Sequence, residues 1–189
     1  MDKEKIKEAI QMILKAVGED TGRDGLKETP RRVADFYEEM FSGLKQDPQK
    51  EIKLYSAPNH DGMIIAKDIS FHSLCEHHLL PFFGRIHIAY LPEGDRITGF
   101  SRLARVIEVL AHRPQLQERL TSQIAEALMN TLNPRGVLVI VEAEQLCLTI
   151  RGLKKSGSLT ITTVAKGEMK SEALRSEALA LIKGSPSAS

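Results

Sequence analysis

The sequence of 189 residues contains no tryptophan, only two cysteines and almost no net charge, since 26 Lys and Arg balance 25 Asp and Glu to give +1. A charge so close to zero argues against a general nucleic-acid or membrane-surface binder, because such partners usually select a strongly positive surface. Small anionic ligands remain compatible with it. Two cysteines in a chain of this length cannot form a disulfide framework, so each is expected to be buried filler, a metal ligand or a nucleophile.

Long apolar runs are also missing. No stretch approaches the roughly 20 apolar residues that span a bilayer, and the segment MDKEKIKEAIQMILKAVGED is interrupted by charge throughout, unlike a signal peptide. We therefore expect a cytoplasmic protein with no membrane or nucleic-acid partner. There is no internal repeat and no glycine-rich phosphate loop, and the length with 42% hydrophobic residues indicates one compact domain, with room for a terminal arm.

Hydrophobic periodicity predicts an α+β protein. Two helices come first, one over about 3–17 and a second with Thr29 as its N-cap, Pro30 at the first helical position and Gly43 as its stop. We then expect strands over 63–71, 84–91, 137–141 and about 159–164, and helices after Ser101, after Pro114 and over about 172–182. This order of elements is typical of an α+β fold with an antiparallel sheet.

The sequence CEHH at 75–78 places a thiol and imidazole groups within one turn of backbone. Thiolate and imidazole suit zinc, and Cys75 with His78 has the spacing of half a zinc site. Cys147 could be a third ligand, which would leave the open position of a catalytic site, while His77 handles protons. The alternative is a surface loop with two solvated histidines and a buried thiol.

Basic residues suggest a second candidate site, which would bind an anion. Ser101 opens a predicted helix, and Arg102 and Arg105 lie off its apolar stripe, so two guanidinium groups could bind an anion at the helix start. The alternative is a solvated basic helix face. If the strand after 137–141 persists, Arg151 shares a face with Cys147 and places a cation beside the metal, as a phosphate-bearing substrate would require.

Gln117 and Glu118 lie on the helix that follows Pro114. A carboxylate at Glu118 could accept the paired N–H groups of a guanine edge. An exposed glutamate on a helix is otherwise only a solvated charge, so these two residues alone leave both interpretations open.

Four segments together resemble the GTP cyclohydrolase I family: ETPRRVADFYEEMFSG, FHSLCEHHLLPFFGRIHIAYLP, GFSRLARVIEVLAHRPQLQERLT and EAEQLCLTIRGLKKSGSLTIT. The resemblance runs from Thr29 to about Gly167 in order and spacing. It implies the tunnelling fold (T-fold), with an N-terminal helical arm over 1–48 and a catalytic domain over 49–183, assembled as a decamer of two face-to-face pentamers with active sites at subunit interfaces. The tail at 184–189 has the composition of a disordered segment.

The resemblance also implies a role for each candidate residue. The zinc ligands would be Cys75, His78 and Cys147, and His77 looks like the acid/base histidine. The guanine site would contain Glu118, with Gln117 beside it. The triphosphate-binding positions are matched by Ser101, Arg102, Arg105 and Arg151, and Arg32 matches a residue that reaches a neighbouring subunit's triphosphate. The implied reaction opens the imidazole ring of GTP at C8, releases formate and forms 7,8-dihydroneopterin triphosphate. It needs zinc and no organic cofactor.

Gln145 departs from the family pattern, because most members carry a histidine two residues before the second zinc cysteine. Strand alternation predicts that Gln145 faces the metal site with Cys147. Glutamine forms hydrogen bonds but cannot exchange a proton near neutral pH, and general acid/base catalysis is typically worth ~10²- to 10⁴-fold in rate. Two milder departures are Arg102, where lysine is common, and Asp35, one helical turn after Arg32, where some members place a basic residue.

Three hypotheses follow from this departure. In the first, the chain completes the reaction because water or His77 covers the missing role. In the second, it opens GTP but stops at the formamidopyrimidine triphosphate, for want of a histidine at position 145. In the third, it is a zinc- and nucleotide-binding paralogue without turnover.

Overall fold

The structure, a computed structural model, describes residues 1–60, 62–151 and 154–184. The chain divides into two compact units, Met1–Ser42 and Gly43–Ser189. The division expected from the sequence, an arm over 1–48 and a catalytic domain over 49–183, stays a prediction. Residues 185–189 of the predicted disordered tail lie outside the described part of the chain.

The first unit contains two helices, α1 (Lys3–Ala16) and α2 (Thr29–Met40). The Asp2 side chain caps α1 by accepting a hydrogen bond from Lys5 N at 3.2 Å. The predicted N-cap role of Thr29 is wrong, because helical hydrogen bonding starts one residue earlier, with Arg32 N donating to Glu28 O at 3.0 Å. Pro30 lies in the first turn, but at the second helical position rather than the expected first one, because the helix already includes Thr29.

The second unit is built on a five-stranded sheet. The strands are β1 (Leu54–Ser56), β2 (Ile64–Cys75), β3 (Pro81–Leu91), β4 (Arg96–Thr98), β5 (Pro114–Gln115), β6 (Gly136–Gln145) and β7 (Thr160–Gly167). The sheet order is β5-β2-β3-β6-β7, in which β2, β3, β6 and β7 are antiparallel neighbours, and β1 pairs separately with β4. The predicted antiparallel sheet is confirmed, with one addition: the two-residue strand β5 joins the edge in parallel.

In the described part of the second unit, four helices accompany this sheet: α3 (Phe100–Ala111), α4 (Gln117–Leu132), the single turn α5 (Leu146–Thr149) and α6 (Glu172–Lys183). The chain also forms 3₁₀ turns at Ser42–Lys45, Pro48–Glu51 and Glu168–Lys170. Residues of α3 and α4 share the main apolar cluster with Val137, Val139 and Val141 of β6, while Leu138 and Ile140 pack in a second cluster with α6. Since both faces of β6 are covered over residues 137–141, this part of the strand is apolar without alternation. The α+β class is confirmed.

One expectation about β6 is wrong, because the strand ends at Gln145 and does not continue to Arg151. Gln145 pairs with Phe82, and the residue before Phe82 is Pro81, which has no N–H with which to extend the ladder. The other neighbour, β7, stops pairing at Ala143. The chain therefore turns into α5, and Cys147 lies in a helical turn rather than in a strand.

Gly84 of β3 has no room for a side chain next to β6. A Cβ atom there would come within 1.9 Å of Glu142 O and 2.8 Å of Ala143 Cα, both backbone atoms of a central strand that cannot move aside. We expect Gly84→Ala to lower the free energy of unfolding by about 2 kcal/mol, as overpacked cores do. Urea denaturation would measure this loss.

Gly62→Ala is the matched control for this substitution. The atom nearest to an added Cβ at Gly62 is a side-chain carbon of His60 at 3.7 Å, which is ordinary contact. The control should change the free energy of unfolding by less than about 0.5 kcal/mol. Equal losses in the two variants would contradict the close packing of β3 against β6.

Candidate metal and substrate site

The first half of the site is the turn between β2 and β3. Cys75 is the last residue of β2, and its N–H donates to Leu80 O at 2.9 Å, while Leu79 N donates back to Cys75 O at 2.8 Å. Leu79 closes the turn in the left-handed region, with φ of 53°. Glu76 N donates to Gln115 O at 3.0 Å, which ties the turn to the edge of the sheet. The CEHH segment is therefore a fixed turn and not a loose surface loop.

The second half of the site is α5, directly after β6. Its Cys147 joins Cys75 and His78 so that one potential ligand atom of each lies within 4.8 Å of the others. Tetrahedral zinc with ordinary Zn–S and Zn–N bonds needs donors about 3.4–3.8 Å apart, so a closure of at most about 1 Å would complete the geometry. Two thiols and an imidazole are a donor set that suits zinc. The metal triad predicted from the sequence is thus brought together.

The protonation of the Cys147 thiol depends on its surroundings. Burial raises the pKa of the Cys147 thiol, and the nearby Cys75 thiol raises it further, while the positive charge of Arg151 acts in the opposite direction. The metal-free protein therefore favours the protonated form of Cys147. A bound cation reverses this preference, because it stabilises the thiolate.

A cavity of about 210 Å³ opens beside the three candidate ligands. His77, Gln117, Glu118 and Gln145 also line it, and Phe82, Leu116 and Leu148 supply apolar wall. His77 and Glu118 are exposed, whereas Gln117 is buried. Thiols, an imidazole outside the triad and a carboxylate therefore face one small space, which could hold a polar ring against a metal ion.

Gln145 borders this site, but through the end of β6 rather than through continued strand alternation. Its Nε2 donates to Gln117 Oε1 at 2.9 Å, and its Oε1 lies 3.9 Å from Cys147 Sγ. Gln117 in turn donates from Nε2 to Val141 O at 3.0 Å and to Thr160 O at 2.8 Å. The side chain at position 145 is therefore held between a metal-ligand candidate and a buried amide.

The sequence analysis missed the ion pair between Glu76 and Arg119. The Arg119 guanidinium donates to both carboxylate oxygens of Glu76, one of them at 2.8 Å, and lowers the pKa of that carboxyl group. The pair braces the CEHH turn against the start of α4 and leaves Glu118 as the carboxylate that lines the cavity. No sequence signal could have revealed it, since the partners are 43 residues apart.

The predicted anion-binding residues converge only in part. The Arg151 guanidinium contacts His78 Nε2 and so lies beside the metal triad. Ser101, Arg102 and Arg105 lie in the first turns of α3, which begins at Phe100, and are not among the residues that line the cavity.

Arg32 and Asp35 belong to the first unit. Arg32 is exposed on α2. The Asp35 carboxylate pairs with Lys3 at 2.6 Å and with Arg31 at 3.1 Å, and these contacts lower its pKa, with the Lys3 hydrogen bond as the largest cause. The negative charge of Asp35 is therefore neutralised by ion pairs with Lys3 and Arg31.

Comparisons with known proteins give one family. A model of the family described as GTP cyclohydrolase I matches residues 6–183. The chain is 58% identical over 183 residues to "GTP cyclohydrolase 1" of Carboxydothermus hydrogenoformans, covering 96% of this chain and 95% of that one. It is 55% identical to the protein of the same name from Streptococcus thermophilus, over 96% and 98% of the two chains, and 50% identical to that of Bacillus subtilis, over 97% of each.

A solved structure shows a weaker likeness. The archaeosine synthase QueF-Like, in its apo form, has a TM-score of 0.44 at 16% sequence identity, over 58% of this chain and 97% of that one. A similarity of this degree carries no argument about the site. No helix in the described ranges of the chain has both the length and the apolar character that crossing a membrane demands.

Binding of a divalent metal ion should release protons near neutral pH. The raised pKa keeps Cys147 protonated in the metal-free protein, and only the thiolate binds the metal. The apparent affinity for Zn²⁺ should therefore increase with pH through the neutral range and level off only above about pH 8.5, because the pKa of the free thiol lies above its ordinary value. Calorimetry in buffers of different ionisation enthalpy measures the protons released.

Cys147→Ser should weaken Zn²⁺ binding by at least about 100-fold, because loss of a ligand costs more than loss of an outer partner. Glu126→Ser, an exposed substitution on α4, should leave the affinity unchanged. An affinity that does not depend on pH, or that survives loss of the Cys147 thiol, would contradict this metal site.

Proposed function

Because the chain belongs to the GTP cyclohydrolase I family, we propose that the cavity beside Cys75, His78 and Cys147 is the place where it hydrolyses GTP. The chain is a hydrolase that acts on GTP, and its α+β fold is the tunnelling fold of that family. The single observation that supports this placement is the convergence of the metal triad with His77, Glu118 and Gln145 on one cavity.

The resident metal in this proposal is zinc, held by the thiolates of Cys75 and Cys147 and the imidazole of His78. Three protein donors are the number that catalytic zinc sites use, and thiolate with imidazole is a donor set typical of that ion. Zinc would supply a water molecule of lowered pKa near neutral pH. Arg151, which contacts His78, adds a fixed positive charge at the same point.

Glu118 is proposed to hold the guanine ring. Its carboxylate lines the cavity, and the neighbouring carboxylate of Glu76 is already committed to Arg119. A carboxylate accepts two parallel N–H groups, which is the pattern that the guanine edge presents. His77 also lines the cavity and would hold or move a proton at a purine nitrogen, since imidazole exchanges protons near neutral pH.

The triphosphate is proposed to lie towards basic residues outside the cavity wall. Arg151 would contact it beside the triad, and Ser101, Arg102 and Arg105 would bind it at the start of α3. Gln117 belongs to the guanine side of this proposal, and Arg32 would act on the triphosphate of a neighbouring subunit.

An assembly with shared sites would complete this arrangement. The cavity of about 210 Å³ is smaller than the roughly 300–1,000 Å³ of ordinary ligand sites, and the residues of α3 do not line it. These facts favour a site to which another copy of the chain supplies the remaining wall. The decamer of two face-to-face pentamers is the assembly that the resemblance implies for it. A cytoplasmic location belongs to the same proposal, because a reducing compartment keeps both thiols available for the metal.

Gln145 supports a second candidate function of the same site. Its side chain is an amide fixed by hydrogen bonds, and it cannot supply the proton transfers that a histidine there would perform. In this candidate the chain opens the imidazole ring of GTP but stops at the formamidopyrimidine triphosphate. In the first candidate His77 or water covers the missing step, and formate and 7,8-dihydroneopterin triphosphate are formed.

Mass spectrometry of the products formed by zinc-loaded protein and GTP, together with a formate assay, tests these proposals. Dihydroneopterin triphosphate with formate supports the complete reaction. A product equal to GTP plus one water, without formate, supports the second candidate. Unchanged GTP would contradict both and would favour a binding protein without turnover.

Gln145→His should raise the rate of pterin formation by at least about tenfold, because general acid/base catalysis at this position becomes available. The rate should also acquire a dependence on an imidazole group that titrates near pH 6.5. Rates measured from pH 5.5 to 8.5, by pterin absorbance, test both effects. Gln49→His, at an exposed position of the second unit, is the control and should change neither. Equal rates in the Gln145→His variant and the parent would mean that the residue at position 145 does not limit the rate of pterin formation.

Glu118→Gln should lower kcat/KM for GTP by about 10- to 100-fold, the loss expected for a hydrogen bond to a charged group. The preference for GTP over inosine triphosphate, which lacks the 2-amino group, should fall by a similar factor because the carboxylate accepts from that group. Glu126→Gln on the exposed side of α4 is the matched control. An unchanged preference between the two nucleotides would exclude Glu118 from the guanine site.

A further inference from the structure

The side-chain amide of Gln117 has only one chemically acceptable orientation. Gln117 is the first residue of α4 and is 2% exposed. Its Nε2 lies 3.0 Å from Val141 O and 2.8 Å from Thr160 O, which are backbone carbonyls of β6 and β7. Carbonyl oxygens only accept hydrogen bonds, so the NH₂ group of Gln117 must face the sheet. Its Oε1 is thereby turned towards Gln145.

The orientation of the Gln117 amide also fixes the orientation of the Gln145 amide. Gln117 Oε1 can only accept, so Gln145 must present its Nε2, which lies 2.9 Å away. The oxygen of Gln145 then points to the opposite side, where it lies 3.9 Å from Cys147 Sγ in the wall of the cavity. An inverted Gln145 amide would set two oxygen atoms against each other.

We propose that Gln117 is a positioning residue, which holds the Gln145 amide so that its carbonyl oxygen faces the reaction space as a fixed hydrogen-bond acceptor. This inference rests on the proposed function of the cavity and refines the part that Gln117 plays in it. Gln145 then accepts an N–H or O–H of the substrate or of a water molecule, and it carries no proton. Gln117 contributes to the reaction through Gln145 and not by contacting the guanine ring.

A purely structural role for Gln117 makes a different prediction. Its side chain ties α4 to two strands, and Thr121 Oγ1 donates to Gln117 O at 2.7 Å, so the residue also anchors the start of the helix. Loss of an anchor would disturb Glu118 and raise KM for GTP. Loss of a positioning residue would lower kcat and leave KM nearly unchanged.

A double-mutant cycle separates the two roles. Gln117→Met keeps the length of the side chain and removes its polar atoms, and Gln145→Met does the same at its partner. We expect Gln117→Met to lower kcat for GTP consumption by about tenfold with less than a twofold change in KM, and to have no further effect in a Gln145→Met background. Effects that multiply, or a change confined to KM, would overturn the proposal.

Gln145→Glu is a second test of the proposal, which can be used if the Gln117→Met variant fails to fold. The substitution keeps an oxygen beside Cys147 but turns a second oxygen towards Gln117 Oε1, where a donor is required. We expect it to lower kcat as much as Gln145→Met does. A Gln145→Glu variant as active as the parent would show that Gln117 does not control the orientation at position 145.

Nuclear magnetic resonance gives a result that does not depend on activity. In protein labelled with ¹⁵N at glutamine side chains, the Gln145 amide signal should exchange slowly with solvent in the parent and at least about tenfold faster in Gln117→Met. Gln49→Met, at an exposed site, is the control and should leave the exchange unchanged. Exchange of the Gln145 amide that is the same in all three proteins would contradict the proposal. Absence of GTP turnover with the slow exchange retained would instead mean that the proposed function fails and the positioning stands.

Discussion

The start of β3 at Pro81 is the constraint on which the site depends. Leu74 of β2 pairs with Pro81, and Gln145 of β6 pairs with Phe82, so both neighbours of β3 reach the end of their ladders at the same level of the sheet. Pro81 has no N–H with which to extend the β6 ladder, and on the other side of β3 the Cys75 N–H bond to Leu80 O closes the turn from β2. The segments that follow β2 and β6 therefore leave the sheet side by side, one as the CEHH turn and the other as α5. This shared end point explains why Cys75 and Cys147, far apart in sequence, lie close enough to hold one metal ion.

The first turn of α4 then organises the polar side of the cavity with three successive residues. Gln117 faces the sheet and bonds to two strands, Glu118 faces the cavity, and Arg119 reaches back to Glu76 in the CEHH turn. Successive side chains on a helix point about 100° apart, so three residues of one turn can contact the sheet, the cavity and the CEHH turn. The chemistry at position 145 follows from this arrangement, because the hydrogen bond between Gln145 and α4 is made to an oxygen, Gln117 Oε1. An amide there is a directed acceptor, whereas an imidazole would also exchange protons.

The sequence predicted local structure and ligand chemistry well, because both depend on residues near each other in the chain. Helical periodicity located α1 and α6, and the CEHH motif with Cys147 predicted a metal triad that the structure brings together. The end of β6 could not be predicted, since it is set by Pro81 in a different strand. The hydrogen bonds of Gln117 and the pairing of Glu76 with Arg119 depend on long-range packing in the same way. The convergence of Ser101, Arg102 and Arg105 on the cavity stays a prediction, because it concerns the surface between copies of the chain.

In this proposal Cys75, His78 and Cys147 form one zinc centre at the shared strand ends. X-ray absorption at the zinc edge of the zinc-loaded protein tests this most directly, because it reports the number and type of donor atoms. We expect two sulfur donors at about 2.3 Å and at least one nitrogen donor at about 2.0 Å, with one sulfur lost in Cys75→Ser. A first shell made only of nitrogen and oxygen, or one with two sulfurs in the Cys75→Ser variant, would contradict it.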